Sequence, residues 1–221
     1  MTQDTRSNVV LLNRRRTDQD IDQLSSLYQE AELAIKATDI KHSEHSLPPI
    51  NELRYAGFHI IKGLEYERDG ANEDCRVEFN KAERHCLRAI YDAHEITLMF
   101  SMNVVRSYID KYDYEVFQKC IPEDNSKIRK RLRETADNLE KYLANKDIDN
   151  DRDTRRRCAD WCKNESDYYK EIIELLESHE AGFSEFQQKV LWGKCKNIIV
   201  CAGALGTIII ATLAIIKHFQ L

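Results

Sequence analysis

Glycine and proline are scarce in this chain, at seven and three of 221 residues. Both interrupt helices, so their rarity predicts long uninterrupted ones. Strand-like alternation is absent over any useful length, and there is neither an internal repeat nor a glycine-rich phosphate loop. What remains is an all-α fold. A basic excess is also missing: the net charge of −5 argues against a general nucleic-acid binder. The seven cysteines (Cys75, Cys86, Cys120, Cys158, Cys162, Cys195, Cys201) are odd in number and lack the spacing of a disulfide framework, so they read as free thiols in a reducing compartment.

What is present is a polar, helix-forming chain, 42% hydrophobic and 32% charged, long enough for one core. Residues 1–16 end in Arg14-Arg15-Arg16 and have no long apolar stretch before them, which reads as a loosely attached segment and not as a signal peptide. Residues 17–193 read as a bundle of about five helices. The first starts at Thr17 or Asp18 with Ile21, Leu24, Tyr28, Ala31 and Ile35 on one stripe. A second runs from about Pro49 to Arg68, with Leu53, Ala56, Gly57, Ile60 and Leu64 facing the core. After the Asp69-Gly70 turn a long helix spans Asn72 to Cys120, with room for a break at Asp110 to Asp113. Its expected stripe is Phe79, Ala82, Cys86, Ala89, Ile90 and Ala93, continued by Ile96, Met99, Phe100, Val104, Tyr108 and Ile109. A charged helix follows from Ser126 to about Asn145. A last one starts near Asp151, interrupted only by Gly182 and Gly193.

That last helix leads into Asn197 to Ile216, NIIVCAGALGTIIIATLAII, which carries no Asp, Glu, Lys or Arg. About 20 apolar residues suffice to cross a hydrocarbon core, so 197–216 is expected to be a C-terminal transmembrane helix, with 217–221 a short tail. Lys189, Lys194 and Lys196 before it outnumber Lys217 after it, which places the N-terminal domain in the cytoplasm of a single-pass inner-membrane protein. Within the run Ala202, Gly203, Gly206, Thr207 and Ala211 form small-residue stripes suited to helix association, and membrane lipid and further copies of the chain are the expected partners.

Sites for chemistry are few. Asp147, Asp149, Asp151 and Asp153 alternate like the start of a calcium loop, but the turn glycine and closing glutamate are lacking. Cys158 and Cys162, one helical turn apart, have no second pair to complete a zinc site. No metal or cofactor is expected. Arg129, Lys130, Arg131 and Arg133, then Arg152, Arg155, Arg156 and Arg157, are dense enough to bind an anion such as a nucleotide, RNA or lipid head group. Neighbouring carboxylates could equally pair with them.

Glu52 to Gly57 (ELRYAG) and Phe79 to Glu95 (FNKAERHCLRAIYDAHE) together resemble the HEPN helical-bundle family of prokaryotes, over about a third of the chain. HEPN ribonucleases use an arginine followed after four to six residues by a histidine. The resemblance therefore implies Arg88 and His94 as the first catalytic candidates and Arg54 and His59 as the second, the histidine moving protons and the arginine stabilising phosphate charge. The residue after each arginine, Tyr55 or Ala89, departs from the polar one usual in the family. HEPN-like bundles fused to membrane helices resemble antiphage effectors and accessories. Three functions follow: a membrane-perturbing effector or accessory that self-associates, a membrane-tethered ribonuclease, and a tail-anchored scaffold for another protein. The first is the leading expectation, with its trigger open among protein, RNA and nucleotide.

Overall fold

A computed structural model describes residues 21–38, 47–145 and 152–196, and all their regular structure is helical. The helices are α1 (residues 21–38), α2 (Leu47–Arg68), α3 (Asn72–Lys111), α4 (Tyr114–Cys120), α5 (Pro122–Asn145), α6 (Arg152–Ser178) and α7 (residues 180–196). The described residues fall into two compact units, one drawn from Met1–Asn103 and Leu132–Glu171, the other from Val104–Arg131 and Ile172–Leu221.

In the first unit α3 is the central element, because it buries two stripes. Cys75, Phe79, Ala82, Cys86, Ala89, Ile90 and Ala93 form the first, and Leu87, Tyr91, Leu98 and Met102 the second. At 100° per residue the stripes lie more than a quarter-turn apart, so neighbours cover the helix from two sides. From one side α1 delivers Thr38, whose hydroxyl lies 3.0 Å from the Ala34 carbonyl, 3.1 Å from the Ala93 carbonyl and 3.1 Å from the Thr97 hydroxyl. On the other side Tyr91 lies near Cys158 and Cys162 of α6. Each large apolar side chain buried here, such as Ile90 or Leu98, contributes about 1.5–3 kcal/mol.

The second unit is built on aromatic packing. Phe183 lies 4.9 Å from Phe117 and 5.1 Å from Tyr112, ring centre to ring centre, and all three are buried. Polar contacts at its rim join Lys111 to Glu180 at 2.8 Å and Lys194 to Asp113 at 2.7 Å.

Several expectations change. The long third helix ends at Lys111, within the stretch where a break was allowed, and restarts at Tyr114. Its stripe also shifts: Met99 and Phe100 are exposed, while Leu98, Met102 and Val105 are buried. Pro122 opens α5, with Glu123 and Asp124 in the first turn. The last helix breaks at His179, and neither Gly182 nor Gly193 interrupts α7.

The C-terminal transmembrane helix is the main correction. No helix of the described residues is long and apolar enough to cross a membrane. Alpha3 has the length, at 40 residues, but charged residues occur along it, and α7 carries Glu180, Glu185, Lys189, Lys194 and Lys196. Among the described residues, a single-pass inner-membrane placement therefore has no spanning helix to rest on. Residues 197–216, including Ala202, Gly203, Gly206, Thr207 and Ala211, lie outside the described residues, as do 1–16 and Asp147, Asp149 and Asp151.

Candidate functional site

A tight turn folds α2 back along α3. Gly70, at φ 78°, ends α2: its N–H donates to the Glu67 carbonyl at 3.0 Å, and that of Ala71 to Tyr66 at 2.8 Å. This left-handed cap closes the last carbonyls and suits a glycine, which has no Cβ to clash. Alpha2 meets its neighbours through small residues at every seventh position, Pro49, Ala56 and Gly63, all buried. A Cβ on Gly63 would stand 2.5 Å from the Phe79 ring, so that side chain of α3 packs directly against the α2 backbone there. One flank of α2 helps line an apolar groove of about 460 Å³, with Gly57, Ile60 and Leu64 facing Leu24, Tyr28 and Phe79.

The other flank is polar and carries the chemistry. Each helix bears a glutamate with a histidine seven residues later, Glu52 with His59 on α2 and Glu78 with His85 on α3. Seven residues are close to two turns, so each pair lies on one face. Because the helices run antiparallel, the pairs cross. His59 Nδ1 lies 2.6 Å from Glu78 Oε2, and His85 Nδ1 lies 2.7 Å from Glu52 Oε2. Between the glutamates the two imidazoles are nearly parallel, 9° apart, with ring centres separated by 5.2 Å. The result is a row of carboxylate, imidazole, imidazole and carboxylate across the two helices.

Cations flank both ends. Lys81 Nζ lies 2.7 Å and Lys62 Nζ 3.9 Å from Glu78 Oε1, and Arg88 stands 4.0 Å from the Glu52 oxygen that holds His85. Lys81 foremost, with help from His59, holds the Glu78 carboxyl below its ordinary range although its side chain is only 5% exposed. An ionised carboxylate accepts, so His59 donates through Nδ1. Arg155 of α6 lies near Arg88, Glu52 and Asp92, and burial followed by the repulsion of Arg88 lowers its pKa. The histidine side chains remain 17% and 20% exposed, enough to meet a ligand. Among the described residues no three His, Cys, Asp or Glu side chains are grouped to hold a metal ion.

The residues marked by the sequence are distributed differently. Arg88 belongs to the row through Glu52. His94, six residues on, projects about 120° away around the helix. Its charged neighbours are Lys163, Glu30, Asp167 and Asp160, and burial foremost, then Lys163, lowers its pKa. Arg54 is exposed and bonds to Asn51 at 3.2 Å, whereas His59 turns to α3. Of the possible anion-binding arginines, Arg129 bonds Asn125 at 2.9 Å and lies over the Tyr114 and Phe117 rings. Arg156 pairs with Glu30 at 2.9 Å and Arg157 with Thr154 at 3.1 Å. Arg131 and Arg133 each have interaction partners too. Arg129, Arg156 and Arg157 thus engage separate neighbours, while Arg155 lies near the histidine row through Arg88 and Glu52. Glu52, Glu78 and His85 were missed as site residues. The signal for them was the repeated Glu-x6-His on two helices joined by a short turn.

Compared with known proteins, the chain matches no family model, no curated protein and no solved structure.

Proposed function

We propose that the chain is a ribonuclease whose general acid and base are His59 and His85. The observation that carries this reading is the pair of parallel imidazoles, each tied at Nδ1 to a glutamate and flanked by cations. A carboxylate on Nδ1 fixes the ring and its tautomer and stabilises the imidazolium when Nε2 takes a proton.

Cleavage of an RNA phosphodiester balances with these groups alone. One histidine, neutral at Nε2, takes the proton of the ribose 2′-hydroxyl as its oxygen attacks phosphorus. A P–O2′ bond forms and the P–O5′ bond breaks. The other histidine, protonated at Nε2, gives its proton to the departing 5′-oxygen. The products are a 2′,3′-cyclic phosphate and a 5′-hydroxyl. Arg88, with Arg155 behind it, supplies positive charge for the pentacoordinate phosphorus. The HEPN resemblance paired an arginine with a histidine along one helix; this reading keeps the arginine and draws the histidines from two.

The test is cleavage of an RNA oligonucleotide by the full chain, with identification of the new ends. His59→Gln and His85→Gln are each expected to lower the rate by about 10²–10⁴-fold with the helical fold retained by circular dichroism, and His94→Gln to cleave like the parent. Absence of cleavage by the parent, or wild-type rates in both variants, overturns the reading.

A further inference from the structure

Two aromatic side chains of α2 stand on the solvent side of the histidine row, where nothing in a simple helical bundle requires them. Tyr55 and Phe58 are 56% and 58% exposed, more than most aromatics of a folded domain. Each touches one histidine. The Tyr55 ring lies 5.5 Å from that of His85, and the Phe58 ring 5.4 Å from that of His59, centre to centre. Three residues apart on a helix, they rise side by side, about 5–6 Å between Cβ atoms. Arg54 is exposed beside them, and Lys62, Lys81 and Arg88 lie along the same flank.

We infer that Tyr55 and Phe58 are a stacking platform for the two bases on either side of the scissile phosphate, which makes single-stranded RNA the substrate. This inference rests on the ribonuclease reading of the same site. Exposed aromatic faces with cations alongside are the elements that hold unpaired nucleotides: every base has a π-face, and the backbone charge meets Lys and Arg. With one ring beside each histidine, two bases stacked on the rings would set the phosphate between them over the imidazoles. A duplex keeps its bases stacked on one another and cannot use the platform. The net charge of −5 is no obstacle, because the cations that matter gather on this flank.

The experiment uses the full chain, a single-stranded RNA oligonucleotide and the same sequence annealed into a duplex, with binding followed by fluorescence anisotropy and cleavage in parallel. Tyr55→Leu and Phe58→Leu keep an apolar side chain at exposed positions, so melting should be unchanged. Each should raise the single-strand Kd and KM at least about fivefold with kcat much less affected, and the double variant should lose more than either. The parent should bind and cleave the single strand in strong preference to the duplex. If the parent cleaves RNA but the double variant does so with unchanged KM, the platform is overturned and the ribonuclease reading stands. If the parent binds single strands through the two rings without cleaving them, the platform stands and the ribonuclease reading falls. No binding at all overturns both. A double variant whose only change is dissociation of a dimer overturns the platform and assigns the rings to a second copy of the chain.

Discussion

Adding one methyl group at Gly63 and one at Gly57 should move stability in opposite directions, although both glycines lie on α2. In a helix interior, glycine costs about 0.8–1 kcal/mol relative to alanine. Where space exists, alanine recovers that sum. At Gly57 the nearest atom to a new Cβ is the Tyr28 hydroxyl at 3.8 Å, an ordinary contact, so Gly57→Ala should stabilise by about 0.5–1 kcal/mol. At Gly63 the new Cβ would stand 2.5 Å from Phe79 Cε1 and 2.6 Å from Cδ1, against 3.4–4 Å for ordinary contact, and something must shift. Overpacking a core typically costs about 1–3 kcal/mol. Phe79 is buried but also lines the apolar groove, so the ring has a direction in which to yield. After subtracting the helix gain, Gly63→Ala should lose about 1 kcal/mol. For a chain of this size each kcal/mol is about 2–4 °C in Tm, so thermal unfolding followed by circular dichroism should find Gly57→Ala above the parent and Gly63→Ala below it. Phe79 follows Glu78 in the chain, so the displacement should also loosen the His59–Glu78 contact and lower cleavage. A Gly63→Ala protein that melts higher than the parent refutes the close approach of α2 and α3 on which the site geometry depends.

The pH dependence of stability should carry two separate signatures. Lys81 and His59 hold Glu78 below its ordinary value of 4.5, so its contribution is present above that pH and is lost as pH falls through the folded value; Glu78→Gln should flatten the acid side of the stability curve. His94 is depressed below its ordinary 6.5, chiefly by burial, so the unfolded chain takes up the proton first; stability should fall as pH drops below about 6.5, and less so in His94→Gln. Thr135 donates to Glu165 at 2.9 Å in a buried position, and Thr135→Val should cost about 1–3 kcal/mol in urea unfolding. Burial pushes the Cys86 thiol up to about 12, so it should resist alkylation at neutral pH until the protein unfolds, while the exposed Cys195 reacts at once.

Local signals in the sequence were strong where backbone chemistry decides structure. The Asp69-Gly70 turn, the end of α2 at Arg68 and the start of α3 at Asn72 all lie where the sequence placed them. Alpha5 starts at Pro122 instead of the expected Ser126, because proline suits the first turn of a helix and the following Glu123 and Asp124 favour a start. The stripe of α3 was legible to Ala93 and failed beyond it, since a single stripe cannot describe a helix covered from two sides; Met99 and Phe100 fitted the period, but Leu98 and Met102 were buried. The site was harder still. Arginine-to-histidine spacing was sought along one helix, where Arg88 and His94 diverge, whereas the row forms by exchange between two: Glu52 reaches His85, and His59 reaches Glu78. Such a crossing is visible only once the turn sets the helices antiparallel.

The acid–base assignment is tested most directly by the pH dependence of kcat/KM for cleavage of a single-stranded RNA by the parent, His59→Gln and His85→Gln. A free-enzyme base and acid give a bell. The account predicts a bell for the parent, loss of the acid-side limb in the variant lacking the base, and loss of the alkaline limb in the variant lacking the acid. Bells of unchanged shape in both variants would contradict it, because neither histidine could then be the group that titrates.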